Sequence, residues 1–422
     1  MAAGAAFAAP YILPSGRLFA SSGNRIANHV VFCLFAGGVR NIESVKQERG
    51  NLMPAILGGQ ASVDPAIAAG MDPIPAFTGQ SLLSSATLFR EFRYKQGPTG
   101  HFNGHSTAIT GNYTLYDLNI KEPPKMPTVF EYYRKHNSPS QTALNAWWVS
   151  NMLGPYPALN YSTYEGYGAV YGANYIQPSS IISYNGYNAL SNPMQFQDTE
   201  HDLIKDLQGF LNAGFNNSGT SGHAGIQNVS NEAELLRGFI QTELAHAAAG
   251  QYNNIWGTGN AANGDIFNVY FAQKILEAFK PELLVVNMQG VDVCHNNFTE
   301  YCNNMRKADL AVGKLWQTIQ NTPGLANDTI LIVAPEHGRN LQSNTLMDAF
   351  GQYAYDHTSD NTSREIFCMI AGPAGKVKQN QVISQTLGES IDIIPTIAHI
   401  LGFNSDIPGG MLPGRVLNEA FF

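Results

Sequence analysis

Runs of apolar residues recur along this sequence, and each is followed by a polar or glycine-rich segment. The clearest runs are "HVVFCLF" (29–35), "LLVVNM" (283–288), "ILIVAP" (330–335) and "EIFCMIA" (365–371). Continuous apolar runs of this length are typical of strands that are buried on both faces, as in a parallel sheet. Two further strands are predicted, one near residues 88–94 and one at residues 142–151.

Segments with helical periodicity lie between these runs. Residues 104–111 are predicted to form a short helix closed by Gly111, and residues 127–136 a helix with Pro127 at its first position. Further helices are predicted at residues 200–215, 231–249, 265–279, 303–321 and 389–402. This alternation predicts an α/β fold with a doubly wound, mostly parallel central sheet sandwiched by helices.

A stretch with almost no charge interrupts the alternation at residues 152–193. Most of it reads "NYSTYEGYGAVYGANYIQPSSIISYNGYNALSNP", which is rich in Tyr, Asn and Gly. We interpret it as an inserted excursion from the sheet, either a cap or contact surface near a site or a surface insertion without function. Residues 24–422 are therefore predicted to form one domain, with an insertion at about 152–264.

The composition narrows the choice of partner. Hydrophobic residues make up 44% of the chain and charged residues 13%, and the formal net charge is -8. This balance argues against nucleic acid as the main partner, because binding to phosphate backbones needs clustered Lys and Arg. No segment reaches the run of about 18 apolar residues that a transmembrane helix requires.

The first 23 residues, "MAAGAAFAAPYILPSGRLFASSG", are small and apolar and are broken by Pro10 and Pro14. This pattern is typical of the apolar end of an export signal, and twin-arginine leaders often end in this way. Residues 1–23 are therefore predicted to be the remnant of an export signal, with a disordered N-terminus as the alternative. The first interpretation implies a bacterial protein exported to the periplasm or the exterior.

Four cysteines fall into two kinds of setting. Cys33 and Cys368 lie inside apolar runs and are expected in the core. Cys294 and Cys302 are close in sequence and could pair in an oxidising compartment. Neither pair has the spacing of a zinc site.

Polar clusters follow several predicted strands, and they contain five of the eleven histidines: His101, His105, His295, His337 and His357. Open α/β sheets bind ligands beyond the carboxyl ends of their strands. Imidazoles and carboxylates held there by rigid strands are the ligands that a divalent metal site needs. The alternatives are plain loop contacts, with Asp292 and His295 capping the following helix and Glu336 pairing with Arg339.

The order of elements resembles the alkaline phosphatase superfamily, which includes phosphatases, phosphodiesterases, sulfatases and cofactor-independent phosphoglycerate mutases. The resemblance rests on "MQGVDVCHNNFTEYCNNMRKADLAVGKLW" (288–316), "DTILIVAPEHGRN" (328–340) and "ESIDIIPTIAHILGFNSDIPGGMLPGRVLNEAF" (389–421). The chain looks nearest to a twin-arginine-exported branch that reads Gly-x-Asp-x-His, Ser-Glu-Phe-Gly-Arg, Asn and an Asp-His pair. The matching residues here are Gly290, Asp292, His295, Glu336, Gly338, Arg339, Asn344, Asp356 and His357.

The resemblance implies a two-metal site. Asp292, His295 and His357 correspond to the ligands of one ion, and Glu336 with His337 to part of the second. The implied cofactor is one or two divalent ions, either zinc, manganese or calcium. In such a site the ions clamp the tetrahedral ester, lower the pKa of the attacking hydroxyl and stabilise the leaving oxygen.

Several positions depart from the superfamily pattern. Ala36 stands where the first strand should end in an Asp, so one anionic ligand of the second ion is missing, and Glu336 replaces the usual Asp. The nucleophilic hydroxyl corresponds best to Thr99, and His101 and Asn103 are alternatives for its place. These departures make the second metal site and the nucleophile the least regular parts of the predicted site.

The remaining candidate residues are expected to act on the substrate. Arg40 and Arg339 could supply positive charge for a phosphate or sulfate group, because guanidinium matches the geometry of these anions. We group Arg339 with Thr99 and His101 as catalytic, and Arg40 with Asn103 and His105 as substrate-binding.

Two functions are open on these grounds. The first is an exported metal-dependent hydrolase that acts on small anionic esters of phosphate or sulfate. The second is a catalytically inactive superfamily member that binds a protein partner in an extracytoplasmic assembly. Ala36 and the lack of an unambiguous nucleophile favour the second function, and the residues that match the metal ligands favour the first.

Overall fold

One eight-stranded sheet runs through the chain. The computed structural model describes residues 24–118, 123–137, 142–150, 159–178, 230–358 and 360–422. The strands are β1 (His29–Phe35), β2 (Ala86–Arg93), β3 (Ala146–Val149), β4 (Asn174–Ile176), β5 (Leu283–Met288), β6 (Thr329–Pro335), β7 (Glu365–Ala371) and β8 (Gln381–Glu389). Their order across the sheet is β4-β3-β5-β1-β6-β7-β2-β8.

Only β7 among these strands runs against the others. It is antiparallel to β6 and β2, and the remaining neighbours pair in parallel. The carboxyl ends of β1, β5, β6 and β2 therefore lie at the same edge of the sheet as the start of β7. Loops that leave four strands and the loop that enters β7 meet at this edge.

The helices in the described residues are α1 (Pro54–Leu57), α2 (Pro65–Ala68), α3 (His101–Thr110), α4 (Val129–His136), α5 (Ser230–Ala248), α6 (Gly264–Phe279), α7 (Phe298–Asn321) and α8 (Ile393–Ile400). Residues from α1, α2, α5, α6 and α7 belong to the apolar cluster on one face of the sheet. Residues from α3, α4 and α8 belong to the cluster on the opposite face. The fold is thus a mixed, mostly parallel sheet between two layers of helices, as the sequence predicts.

Burial on both faces explains the continuous apolar runs. In β1, Val31 and Phe35 point into the first cluster, and Val30 and Phe32 point into the second. Because alternate side chains enter different cores, every position of the strand must be apolar. A central strand of this kind holds its loop firmly at the edge where the polar clusters lie.

Some details of the predicted elements are wrong. Pro127 does not begin α4, because Thr128 is the N-cap of that helix and forms a capping box with Glu131. α3 begins earlier than predicted, at His101, and ends at Gly111, which adopts φ 68°. The helix predicted at residues 200–215 lies outside the described residues.

Two edge strands, β4 and β8, were not predicted from the sequence. β4 lies within the stretch interpreted as an excursion and pairs with β3, so residues 174–176 return to the sheet. β8 carries polar residues at most of its positions and pairs with β2. The predicted remnant of an export signal at residues 1–23 and most of the predicted insertion lie outside the described residues.

All four cysteines are buried as free thiols. The pairing considered for Cys294 and Cys302 is therefore wrong, and both side chains contribute to the core. Within the described ranges, no helix is both long and apolar enough to cross a membrane.

Candidate metal centre

Five histidines and two carboxylates predicted from the sequence meet at the carboxyl edge of the sheet. His101 is the first residue of α3, and His105 follows one turn later in the same helix. The other five lie beside strand ends: Asp292 and His295 after β5, Glu336 and His337 after β6, and His357 before β7. The structure thus brings together every predicted metal ligand together with His101 and His105.

A glycine turn after β1 permits this close approach. Gly37 has φ 116°, and a Cβ atom there would lie 2.8 Å from the Cα of Asp292. Gly38 has φ 80°, and a Cβ atom there would lie 2.8 Å from His337 Cε1. Both positions require glycine, because a side chain would meet the residues of the centre and the φ values disfavour it.

A first ligand group consists of His101, Asp292, His295 and His357, each with one ligand atom within 4.8 Å of the others. Asp292 Oδ1 lies 2.7 Å from His101 Nε2 and 3.4 Å from His295 Nε2. His357 Nε2 lies 3.0 Å from His101 Nε2. Three imidazoles and one carboxylate at these separations form a ligand set suited to zinc.

Groups outside the first ligand group orient the rings of His295 and His357. His295 Nδ1 lies 2.7 Å from Asp356 Oδ1, and His357 Nδ1 lies 2.5 Å from the carbonyl oxygen of Thr99. If each Nδ1–H donates to its oxygen, each Nε2 presents a lone pair to the centre. This is the arrangement by which outer hydrogen bonds fix metal-binding histidines.

A second ligand group shares His101 and adds Glu336 and His337. His101 Nδ1 lies 2.7 Å from Glu336 Oε1, and His337 Nε2 lies 3.2 Å from the same oxygen. The side chain of Glu336 is wholly buried, and His105 Nδ1 lies against its other oxygen. The backbone N–H of Gly37 also donates to Oε1, at 2.5 Å.

His337 has a buried ring nitrogen that forms no hydrogen bond with the described residues. Its Nδ1 lies 2.7 Å from the carbonyl oxygen of Gly338, and its Nε2 is buried without a hydrogen-bond partner among the described residues. Nε2 lies 3.2 Å from Glu336 Oε1, but the direction of the ring nitrogen does not fit a hydrogen bond to that oxygen. This orphaned buried atom means that the residues of the second group fit a bound metal ion.

Burial and the neighbouring carboxylates shift the pKa values of the histidines in opposite directions. Burial opposes protonation of His101, but Glu336 and Asp292 outweigh it and raise the pKa of His101 to about 9. Burial lowers the pKa of His357 and of His337. Although burial alone would raise it, the pKa of Glu336 is held well below its usual range by the three neighbouring histidines.

Neither predicted anion-binding arginine presents a free guanidinium. Arg40 pairs with Glu43, at 2.5 Å between Nη2 and Oε1, and stacks 3.8 Å from the ring centroid of Tyr355. Arg339 is wholly buried and donates to the carbonyl oxygens of Gly38, at 3.1 Å, and Gly37. Both guanidiniums therefore bind protein groups around the centre.

Arg339 also contacts the centre directly. Its Nη2 lies 3.2 Å from Asp292 Oδ1, and its Nη1 donates to the carbonyl oxygen of Tyr355 at 2.8 Å. Glu336 contacts histidines, so the alternative of a Glu336–Arg339 ion pair is wrong. Arg339 is thus placed to fix Asp292 relative to the loop before β7.

The remaining candidates make structural contacts. The hydroxyl of Thr99 donates to the carbonyl oxygen of His357. Asn103 Nδ2 donates to the carbonyl oxygen of Tyr116, at 2.9 Å, and Asn103 Oδ1 accepts from the N–H of Leu118. These contacts engage the Thr99 hydroxyl and the Asn103 amide with neighbouring loops.

The helix-capping alternative for Asp292 and His295 is also wrong. α7 begins at Phe298, and its N-cap is Asn297, whose side chain accepts from the N–H of Glu300. Asp356, which contacts His295, is a residue of the candidate site that the ligand assignment did not include. Its position directly before His357, in the Asp-His pair, could have pointed to it from the sequence.

Comparisons with known proteins agree with the fold. No family model matches the sequence, and no curated protein matches it. Among solved structures, a mutant of alkaline phosphatase PafA is 9% identical, with a TM-score of 0.50 over 94% of this chain and 99% of that chain. At this identity the match shows the fold alone.

Two further matches have lower TM-scores. A protein of the alkaline phosphatase superfamily from Vibrio parahaemolyticus is 12% identical over 98% of this chain and 75% of its own, with a TM-score of 0.46. Phosphonate monoester hydrolase SpPMH from Silicibacter pomeroyi is 14% identical over 92% of this chain and 76% of its own, with a TM-score of 0.41. The chain has the alkaline-phosphatase fold, and its narrower likeness to the twin-arginine-exported branch stays a prediction.

Proposed function

We propose that this protein is a divalent-metal-dependent hydrolase of phosphate or sulfate esters. The observation that carries the proposal is the convergence of His101, Asp292, His295 and His357, with one ligand atom from each within 4.8 Å of the others. The fold shared with alkaline phosphatase PafA supports it. A histidine-rich ligand set favours zinc over calcium, which prefers oxygen ligands.

A bound divalent ion would polarise an ester oxygen and lower the pKa of a coordinated water. The protein's part is to hold the ligands. Asp356 and the carbonyl oxygen of Thr99 orient the rings of His295 and His357, and Arg339 fixes Asp292. Arg339 is therefore a positioning residue in this proposal.

Water is the nucleophile in this proposal. The hydroxyl of Thr99 is engaged with the carbonyl oxygen of His357, and Ser106 and Thr107 are buried within α3. Water attacks phosphorus or sulfur, the bond to the ester oxygen breaks, and the departing alcohol takes up a proton. Export to the periplasm or the exterior belongs to the proposal as well and rests on the apolar pattern of residues 1–23.

Metal analysis and ester hydrolysis test the proposal together. We expect zinc to co-purify or to bind the apoprotein, and the loaded protein to hydrolyse an aryl phosphate or an aryl sulfate. Asp292→Ala should lose the ion of the first ligand group and the activity, whereas Asp406→Ala, at an exposed position in a short 3-10 helix, should keep both. The proposal fails if the zinc-loaded protein cleaves neither ester.

One observation favours the second candidate, a catalytically inactive binding protein. Five large apolar side chains are exposed between β6 and β7: Leu341, Leu346, Met347, Phe350 and Tyr353. Asn344, in the same segment, donates to the carbonyl oxygen of His295 at 3.0 Å, so this surface borders the centre. Exposed apolar patches of this kind mark interaction sites. Metal binding without cleavage of either ester would support this candidate.

A further inference from the structure

We propose that His101 binds two metal ions at once, one through each ring nitrogen, so that its imidazolate bridges the two ligand groups. The inference rests on the proposed function in requiring that metal binds at this edge of the sheet. It goes further by assigning to His101 the place between the ions and by excluding it from attack on the ester.

Each ring nitrogen of His101 belongs to a different ligand group. Its Nε2 lies 2.7 Å from Asp292 Oδ1 and 3.0 Å from His357 Nε2. Its Nδ1 lies 2.7 Å from Glu336 Oε1, which is 3.2 Å from His337 Nε2. The two nitrogens of an imidazole point in divergent directions, so one ion cannot use both.

The separations in both groups suit tetrahedral ions. A zinc ion with bonds of about 2.0 Å to nitrogen and oxygen holds its ligands about 3.3 Å apart. In the first group, Asp292 Oδ1 lies 3.4 Å from His295 Nε2, and in the second, Glu336 Oε1 lies 3.2 Å from His337 Nε2. The contacts of His101 are shorter, at 2.7 and 3.0 Å, and need an outward shift of a few tenths of an ångström.

His337 supplies the independent observation for the second ion. Its Nε2 is wholly buried, has no hydrogen-bond partner among the described residues and lies 3.2 Å from Glu336 Oε1. A buried ring nitrogen without a hydrogen bond, next to a buried carboxylate, is costly unless a cation lies near both. An ion at this point satisfies His337, Glu336 and His101 Nδ1 together.

The start of α3 places the ring of His101 between the groups. Gly104 lies one turn later and faces the second group, where a Cβ atom would come within 2.9 Å of His337 Cδ2. The absence of a side chain lets the helix approach until the ring centroid of His101 is 5.2 Å from that of His337 and 4.3 Å from that of His357.

Formation of the bridge releases protons from His101 and prevents His101 from attacking the ester. Each ring nitrogen of His101 exchanges any proton it carries for an ion, and the protons leave to solvent. With both lone pairs engaged, His101 cannot attack phosphorus or sulfur. Hydrolysis then proceeds by a single displacement by water, without a covalent histidine intermediate.

Metal stoichiometry and the magnetism of the copper-substituted protein test the bridge. We expect the apoprotein to bind two equivalents of Zn²⁺, measured by calorimetry and by metal analysis after gel filtration. The form with two Cu²⁺ ions should show a strongly weakened paramagnetic resonance signal, because imidazolate couples the two spins antiferromagnetically. His337→Gln should bind one Cu²⁺ with a full signal.

The variants and controls make each outcome decisive. His101→Gln should abolish the coupling, and His246→Gln, on the partly exposed face of α5, should leave it unchanged. Binding of only one equivalent by the wild-type protein overturns the inference, since Glu336 then serves only to accept hydrogen bonds from His101 and Gly37. Two uncoupled equivalents overturn it as well. Two coupled ions without ester cleavage leave the bridge intact and refute the proposed hydrolase.

Discussion

Single hydrogen bonds outside the ligand groups decide how well the centre holds a metal. Asp356 Oδ1 lies 2.7 Å from His295 Nδ1, and no other carboxylate among the described residues bonds to that ring nitrogen. Outer partners of this kind fix the tautomer and direction of a metal-binding histidine. Asp356 is next to His357 in the sequence, but its contact orients His295, which lies 61 positions earlier in the chain.

Asp356→Asn tests this contribution. The amide is a weaker acceptor than the carboxylate, so we expect zinc affinity to fall by about 10- to 100-fold. Competition with a fluorescent chelator measures the affinity, and Asp406→Asn is the matched control. An affinity equal to that of the wild-type protein would show that Asp356 does not orient His295.

Gly104 gives a second prediction at the scale of one residue. In Gly104→Ala the new Cβ would lie 2.9 Å from His337 Cδ2 and 3.1 Å from the Cβ of Glu336. We expect a loss of about 1–3 kcal/mol in the free energy of unfolding, measured in urea, because the crowded site must shift. Zinc affinity should fall with it.

Gly238→Ala is the matched control, since it also changes a helical glycine. A Cβ atom at position 238 in α5 meets nothing within 4 Å, so this variant should gain about 0.5–1 kcal/mol from helix propensity. Equal effects of the two variants would contradict the argument that α3 needs Gly104 for close approach.

At the scale of elements, burial decides what the sequence could predict. β1, β5 and β6 are buried on both faces, so their apolar runs identified them. β8 is an edge strand with polar residues at most of its positions, and β4 has three residues, so neither gave a continuous apolar run. The reversed direction of β7 was also unpredictable, because two-sided burial imposes the same pattern on parallel and antiparallel strands.

The same reasoning applies to the candidate site. Asp292, His295, Glu336, His337 and His357 follow or precede strong strands, and the sequence predicts all of them as metal ligands. His101 depended on the exact start of α3, which the pattern placed three residues too late. Element boundaries are the weakest part of a sequence-based prediction. Here the start of α3 decides whether His101 is grouped with the catalytic candidates or with both candidate ligand groups.

The first position of β1 gives a prediction about pH. His29 is wholly buried, its Nδ1 lies 2.9 Å from the carbonyl oxygen of Pro281, and burial lowers its pKa. Below the ordinary pKa of 6.5 the unfolded chain takes up a proton that the folded chain does not bind. The stability that His29 contributes is therefore present above this pH and is lost as the pH falls below it.

His29→Asn removes the titrating group and can keep a donor to the same carbonyl oxygen. We expect the variant to lose less free energy of unfolding than the wild-type protein between pH 7.5 and pH 5, measured by urea titration at each pH. His246→Asn, at a partly exposed position in α5, is the control. Equal pH dependence in wild type and His29→Asn would assign the acid sensitivity to other groups.

At the scale of the whole molecule, the centre joins elements that are distant in the chain. His101 begins α3, Asp292 and His295 follow β5, and His357 precedes β7, so one ion would cross-link three regions. A ligand that binds only the folded state stabilises it by about 2.7 kcal/mol at 100 times its dissociation constant. Metal loading should therefore stabilise the fold as a unit.

Thermal unfolding with and without zinc tests this last expectation. We expect saturating zinc to raise the Tm by about 5 °C, given roughly 2–4 °C per kcal/mol for a somewhat shorter chain, and a chelator to reverse the rise. Asp292→Ala removes a ligand of the first group and should show a much smaller shift, while Asp406→Ala should show the full shift. A shift of equal size in both variants would mean that zinc stabilises the protein at another place, because only one of the two changes alters the ligands that connect α3 with the loops at β5 and β7.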